Sequence, residues 1–517
     1  MNSPSGVSQL TDETLRDVHA FADLYNQWDR DRGTLPTEDA AAAVETLEKE
    51  FRWLRTLLTE DAATRRAISD VLTSRCGENF PWASVQPPAR GLALLYNFSP
   101  FQDTGATVAS KRLREFGETV DVVACSFLHH KKQDPTIERI AAPYVASKYF
   151  LNMTPRWASW EAYSAFAVQA ARIADSYIAR EDRSYEFLYT RAMWAPSLYA
   201  GALTKLKHRD LRWVAEFSDP LSLDVEGRHR GGAIPVDTVS GPLINAYNSR
   251  YTPLEDEAVS IFTLAERLAF AFADEIIFTN DHQYRTMLDL VADDALRDRI
   301  AAHARISHHP SLPPLYYSMY TAPEVVDPDC VNIAYFGEFY SSRGLTEVTS
   351  AIRTLPERLR SKVRLHVFTN YVPQGDGGQR PRNFSQKQYQ ELVERALRSV
   401  GATGIEELVT FHASLPYLRF LAATEQFDLL VVVDARSGDS HPVNPYLPSK
   451  WSDYKGSHAR TWAVVEPGSV LSQQSAALTS PLGDIRAARE VLWGVIEKKL
   501  GASDGSSVSC GREGATK

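Results

Sequence analysis

The residues best suited to chemistry lie in Leu447-Pro-Ser-Lys-Trp-Ser-Asp-Tyr-Lys-Gly-Ser457, downstream of the apolar run Phe427-Asp-Leu-Leu-Val-Val-Val433. A strand that leads into Pro448, Ser449 and Lys450 and then into a helix start gathers free backbone N–H groups, a hydroxyl and an ammonium, which together make an anion site. Asp453 falls one turn inside, where a carboxylate can accept hydroxyl donors. Phosphate oxygens and sugar hydroxyls carried on one ligand meet that description, so the stretch suits a nucleoside diphosphate-sugar.

Four further stretches stand where a strand gives way to a loop. In Gly337-Glu-Phe-Tyr-Ser-Ser-Arg-Gly-Leu345, Arg343 precedes a helix and could grip a pyrophosphate bidentately; an ordinary loop with a solvated arginine is the competing reading. In Asp103-Thr-Gly105, the glycine permits close approach of backbone or ligand at a helix start. The three-glycine spacing of a dinucleotide fingerprint is missing there, which argues against a nicotinamide-dependent dehydrogenase. Tyr189-Thr-Arg191 and Glu216-Phe-Ser-Asp-Pro220 follow apolar strands, and Asp219 either orients an acceptor hydroxyl or simply opens the turn before Pro220. His129-His130, followed by Lys131 and Lys132, reads as a solvated loop, and His308-His309-Pro310 as a structural end to a domain. No His, Cys, Asp or Glu set has metal-ligand spacing, so neither a protein-held metal nor another cofactor is expected.

The elements that must position these residues follow from the pattern of apolar runs. Residues 1–88 read as a helical extension, with Ala43, Leu47, Phe51, Leu54, Leu57 and Leu58 on one face. From about Arg90, strands alternate with helices: Gly91 to Tyr96, Val120 to Ala124, Tyr185 to Tyr189, Arg212 to Phe217 and Glu275 to Phe278. That alternation implies a doubly wound parallel sheet over residues 89–310. Residues 311–330, rich in proline and tyrosine, read as a linker. A second series runs over 331–500, with strands at Val331 to Phe336, Val363 to Phe368, Leu408 to Phe411, Leu429 to Val433 and Trp462 to Val465. Gly375-Asp-Gly-Gly378 with Arg380 and Arg382 reads as a surface insertion, and 501–517 as a disordered tail. The fold class is therefore α/β, with two Rossmann-like domains facing across a cleft and ligands at the carboxyl ends of the strands.

Composition narrows the partners. A chain of 517 residues with 44% hydrophobic and 23% charged residues is globular and long enough for two or three cores. A net charge of −9 is too weakly patterned for a duplex nucleic-acid binder. Four cysteines without pairing or metal spacing suit a reducing compartment, and no signal peptide or membrane span is evident. A cytoplasmic location is expected. The inner membrane face is an alternative, through Trp157, Trp160, Tyr163 and the basic run Lys205-Leu-Lys-His-Arg209; the competing reading packs those aromatics into their own sheet.

Between about Arg90 and Leu500 the chain resembles GT-B glycosyltransferases and is similar to family 4, the group 1 retaining enzymes. Gly337 to Leu345 and Leu447 to Ser457 carry the resemblance, with support from Trp213-Val-Ala-Glu-Phe-Ser-Asp-Pro220 and Ala273-Asp-Glu-Ile-Ile-Phe-Thr-Asn280. It implies that Arg343 grips the donor diphosphate, that Asp453 is the second of two acids spaced eight apart, and that Gly105 and Glu466-Pro-Gly-Ser469 lie near the donor. Pro445 stands where the first acid belongs, leaving Asp439, Ser440 or Asn444 to meet the sugar. Glu338 stands where many members have arginine, a charge Lys450 could supply. The implied activity is transfer of a sugar from a nucleoside diphosphate donor to a glycan or lipid-linked acceptor, with retention. Arg343 and Lys450 would stabilise the leaving group, and Asp219 and Arg191 would face the acceptor. Gly337, Ser440 and Ser449 complete the expected donor site. A nucleotide-sugar epimerase or hydrolase, or an inactive sugar-nucleotide-binding scaffold, remain alternatives.

Overall fold

The computed structural model describes residues 11–34, 36–254, 259–339, 343–373, 380–381, 384–438 and 440–506. Asp439, Gly375 to Gly378, Arg382, Cys510 and the segment 507–517 lie outside them. The chain divides into two compact units: unit 1 is Met1–Asp224 with Arg228–Pro310, and unit 2 is Val225–Gly227 with Ser311–Lys517.

Unit 1 is built on seven parallel strands: β1 (Gly91–Leu95), β2 (Val120–Cys125), β3 (Val145–Leu151), β4 (Phe187–Ala192), β5 (Arg212–Phe217), β6 (Glu275–Phe278) and β7 (Ala304–Ile306). Their spatial order is β3-β2-β1-β4-β5-β6-β7. Chain order reverses between β1 and β4, which makes the crevice beyond Leu95 and Ala192 the switch point where doubly wound sheets hold ligands. The central strands are buried on both faces, β1, β2 and β4 without a single exposed position, as parallel sheets covered by helices require.

Unit 2 repeats the plan with six strands: β8 (Val331–Phe336), β9 (Val363–Thr369), β10 (Val409–Ala413), β11 (Leu429–Val433), β12 (Arg460–Val465) and β13 (Leu478–Pro481). All neighbours pair in parallel, in the order β10-β9-β8-β11-β12-β13. Its switch point lies between β8 and β11, beyond Phe336 and Val433.

The sequence reading did not foresee β3, β7 and β13. All three are edge strands, half exposed, and lack the continuous apolar run that marks a buried strand. The reading of Tyr185 to Tyr189 lies too early at both ends, since β4 runs from Phe187 through buried Arg191 to Ala192.

The extension forms three helices, Asp12–Asp31, Thr37–Glu60 and Ala62–Arg75, around a core of Phe21, Tyr25, Leu54, Ile68 and Leu72. It docks on the sheet domain through polar contacts. Arg65 donates to the Gly117 carbonyl and, at 2.7 Å, to Glu118, and Arg114 meets Asp70 at 2.9 Å.

The expected linker is not a free connector. A 3-10 turn, Pro314–Tyr317, buries Tyr316 and Tyr317 in unit 2, and aromatic burial of this kind anchors a segment. The last helix, Ile485–Ser506, extends six residues beyond the expected domain end at 500. Trp160 and Tyr163 belong to the main core of unit 1, and Lys205 is tied to Asp274 and to the Leu211 carbonyl. The structure thus gives these three residues packing roles, while Trp157 is exposed. No helix among the described residues is long and apolar enough to cross a membrane.

Candidate functional site

In unit 2 the central strand β11 ends on Val433, and the next residue, Asp434, is fully buried. Its Oδ2 accepts from the Ser469 hydroxyl at 2.5 Å and from the Glu466 N–H at 3.1 Å, while Oδ1 has no partner. Burial pushes this carboxyl up to about 7; those two hydrogen bonds and the positive charge of Arg343 pull the other way. Arg343 comes from the loop after β8, across the switch point, and its buried Nε has no hydrogen-bond partner. A guanidinium Nε and a carboxyl oxygen, both without a partner, therefore stand together at the carboxyl ends of β8 and β11. Buried groups of this kind are normally paired, and their exceptions point to ligands.

Glu466, at the end of β12, shapes this pocket. One carboxylate oxygen accepts from the backbone N–H groups of Ser437 at 3.0 Å and Gly438 at 2.8 Å; the other accepts from Ser437 Oγ and Asn444 Nδ2, both at 2.8 Å. Its contacts are with the loop that follows β11, so it builds that loop. Ser440 is exposed on the same loop, and its N–H donates to the Ser437 carbonyl at 2.8 Å. Gly337 adopts φ +148°, a backbone conformation glycine alone reaches readily, and its N–H donates to the Phe368 carbonyl at 3.0 Å. Glu338 turns toward the end of β9, accepting from Thr369 Oγ1 at 3.1 Å and Asn370 Nδ2 at 2.9 Å.

The stretch Leu447 to Ser457 forms a helix of only six residues, Ser449–Tyr454, capped by Pro448. Tyr454 is buried and its hydroxyl accepts from the Phe336 N–H at 3.4 Å, docking this helix against the end of β8. Asp453 is 5% exposed. Its carboxylate accepts from the Tyr417 hydroxyl at 2.7 Å and lies 3.7 Å from Lys450 Nζ, and Tyr317 donates to its carbonyl. The carboxylate expected to meet sugar hydroxyls is thus engaged within the protein. Lys450 stands 4.2 Å above the Phe420 ring, held by cation–π attraction and still partly open to solvent, and Ser449 is half-buried beside it.

In unit 1, Arg191 and Glu216 occupy paired positions on β4 and β5. Glu216 is buried and makes a two-pronged ion pair with Arg112, both distances 3.1 Å, with Tyr189 donating at 2.6 Å and Arg191 Nε at 3.4 Å. Burial alone would raise its pKa; the two guanidiniums outweigh that and hold it at about 2. Arg112 also binds Ser307 Oγ at 2.8 Å and the His308 carbonyl at 3.1 Å. His309, buried beside this group, is held well below its ordinary pKa by burial and by Arg191, so it is neutral. The expectation that Arg191 faces an acceptor meets a buried side chain; its Nη1 nonetheless lacks a partner. Asp219 is exposed on the loop after β5.

Gly105 opens the helix Thr104–Phe116, and its N–H donates to the capping Asp103 carboxylate at 2.7 Å. A Cβ there would lie 2.7 Å from Met193 Sδ, so the glycine lets the helix start close over the end of β4. Lys131, read as solvated, instead pairs with Asp103 and lies 5.6 Å from the Phe127 ring and 5.7 Å from the Trp194 ring.

The structure therefore brings together Arg343 and Glu466 around Asp434, and Lys450 with Asp453 and Ser449 on the neighbouring helix, while Gly337 follows β8 against the Phe368 carbonyl. Arg191, Gly105 and Asp219 belong to unit 1. Asp434 escaped the sequence reading, although an acid placed directly after Leu-Leu-Val-Val-Val on a central strand is a usable signal.

No protein-family model matches the chain, and no curated protein does. Among solved structures it is similar to sucrose-phosphate synthase from Thermosynechococcus elongatus, with 12% identity, a TM-score of 0.46, and coverage of 80% of this chain and 90% of that one. It is similar as well to a UDP-forming trehalose-phosphate synthase from Burkholderia xenovorans, at 11% identity and TM-score 0.46, covering 81% and 94%. A third is the N-terminal domain of Candida albicans trehalose-6-phosphate phosphatase, at 10% and 0.46, covering 81% and 92%. Among the described residues no group of His, Cys, Asp and Glu is placed to hold a metal ion.

Proposed function

We propose that the protein transfers a sugar from a nucleoside diphosphate donor to an acceptor hydroxyl. The observation that carries this reading is the pair of unsatisfied groups at the switch point of unit 2, Arg343 Nε and Asp434 Oδ1. A guanidinium suits a diphosphate, a carboxyl oxygen suits a sugar hydroxyl, and a nucleoside diphosphate-sugar presents both. In transfer, the acceptor oxygen bonds to the anomeric carbon as its proton passes to the departing diphosphate oxygen. The bond from that carbon to the diphosphate breaks, and its electron pair stays on the departing phosphate oxygen. Arg343 meets the charge that develops there, with Lys450 as a second cation, and a fixed cation at that point lowers the barrier without reorganisation. On this reading the reaction needs no metal, retains anomeric configuration as the resemblance to family 4 implies, and uses Asp434 where the missing acid at Pro445 would have stood.

The test is thermal unfolding with UDP-, GDP- and dTDP-sugars, followed by turnover of the stabilising donor. A donor at about 100 times its Kd stabilises by about 2.7 kcal/mol. R343A should bind that donor more weakly and lose about 10²–10³-fold in turnover. Unchanged turnover in R343A, or a donor whose sugar is altered while still attached to the nucleotide, would overturn the proposal; the latter outcome is epimerisation.

A further inference from the structure

Beyond the carboxyl ends of β2, β3 and β4 in unit 1, aromatic side chains form a continuous platform. Trp157 meets Trp194 edge-on, with ring centroids 5.2 Å apart, and Phe262 at 5.2 Å. Trp194 continues to Phe127 at 5.6 Å. Most of these rings are core, but Trp157 is 47% exposed. A tryptophan left that open forfeits hydrophobic stabilisation, and its loop shows that the placement is imposed.

The residues on either side of Trp157 are pinned by buried tyrosines: the Arg156 N–H donates to Tyr96 Oη and the Ala158 N–H to Tyr163 Oη, both at 3.1 Å. Ala158 adopts φ +57°, the single non-glycine residue with positive φ among the described residues. An alanine in the left-handed region persists only where its surroundings over-determine it, and such residues collect at ligand sites. Two tyrosine hydroxyls thus hold a disfavoured backbone that presents an indole face.

Polar features border the same platform. The Trp194 Nε1 donor is buried and has no partner. The Arg230 guanidinium lies 5.6 Å from the Trp157 ring and 5.9 Å from Phe262, and no ion pair to it occurs among the described residues. Lys131, on the far side of Trp194, is already matched by Asp103. Arg230, whose Nε donates to the Leu223 carbonyl at 3.0 Å but which meets no carboxylate among the described residues, is therefore the cation with charge to offer.

The geometry points to a second ligand site, a platform on which Trp157 stacks the apolar face of a pyranose ring while Arg230 pairs with an anionic substituent, phosphate or carboxylate, on that sugar. An open aromatic face, an unused N–H donor and an unmatched cation together select an anionic monosaccharide over a neutral one or a bare anion. The assignment rests on the transferase reading only in making this sugar the acceptor.

Binding is measured on the full-length protein without donor, by calorimetry and tryptophan fluorescence, with glucose, glucose 6-phosphate, glucuronate and inorganic phosphate. The expected result is that one or both anionic sugars bind more tightly than glucose and phosphate. W157A should weaken that binding at least about tenfold, equivalent to 1.4 kcal/mol, and W157F should restore most of it. R230Q should abolish the preference for anionic over neutral sugar. Equal binding of inorganic phosphate and sugar phosphate, unchanged binding in W157A, or no saccharide binding by a protein that still binds nucleotide would overturn the site. A protein that binds the anionic sugar as expected yet transfers nothing to it would overturn that sugar's role as acceptor and leave the binding site standing, with the R343A measurement deciding the transferase reading separately.

Discussion

Replacing Asp434 with asparagine should stabilise the protein at alkaline pH while impairing its chemistry. Asp434 is fully buried, and its carboxyl is raised from an ordinary 3.8 to about 7 by desolvation. Between those values the folded chain keeps a proton that the unfolded chain has lost. Stability from this group is therefore fully present below about pH 4 and is lost as pH rises through about 7. A rise of roughly three units corresponds to about 4 kcal/mol, taken as a ceiling. Asparagine preserves the shape, and its Oδ1 can accept from the Ser469 hydroxyl and the Glu466 N–H as Asp434 Oδ2 does. Its amide group falls where Asp434 Oδ1 has no partner. D434N should thus exceed the wild type by only about 1.6 kcal/mol at pH 5 and by up to about 4 kcal/mol at pH 8.5, read from urea midpoints and slopes at the two pH values. Turnover should fall at both. The combination would mark a site held against stability for function. Equal or lower stability of D434N at pH 8.5 would refute the reasoning.

The buried Arg112–Glu216 pair makes the opposite prediction. E216Q leaves two guanidiniums without their carboxylate and should destabilise the protein by about 3–5 kcal/mol at pH 7, measured by denaturant unfolding. Because Glu216 is held at about 2, below its ordinary 4.5, its contribution is present above about pH 4.5 and is lost as pH falls toward 2, so the gap between E216Q and wild type should close on acidification. E466A removes the anchor of four hydrogen bonds from Ser437, Gly438 and Asn444 and should weaken donor binding about tenfold or more while leaving the melting temperature within a few degrees; calorimetry with the stabilising donor measures it. G105A must displace Met193 Sδ from 2.7 Å and should cost about 1–3 kcal/mol, visible as a lowered denaturation midpoint. Chelation with EDTA should leave turnover unchanged if Arg343 and Lys450 carry the leaving-group charge.

Much of the fold was legible because buried parallel strands announce themselves as uninterrupted apolar runs, as in Leu429 to Val433. Edge strands such as Val145–Leu151 keep one side in solvent and mix Ser and Lys into the run, which erased the signal. Of the site, positions set by strand ends were legible: Arg343, Gly337 and Lys450 all stand beyond β8 or β11. What a carboxylate touches was not. Asp453 and Glu466 occupy the right neighbourhood, yet their oxygens are engaged by Tyr417 and by Ser437, partners distant in sequence. Asp434 gave only an acid after a run of valines, and its significance depends on burial, which emerges when two strands and a loop close around it. The Trp157 platform was hidden for a similar reason, since it is assembled from three separate loops, a helix start and a backbone angle that composition does not encode.

The anchoring of the loop after β11 has an evolutionary consequence. Glu466 fixes residues 437 and 438 at one end and Asn444 at the other, so the intervening segment works as a cassette between two bolts. The exposed side chains of Ser440 and Pro442 can be exchanged while the ends stay registered on the sheet and buried His441 packs against the Tyr446 ring. Preference for one sugar over another could then drift by substitution within that cassette, with Arg343 and Asp434 left in place.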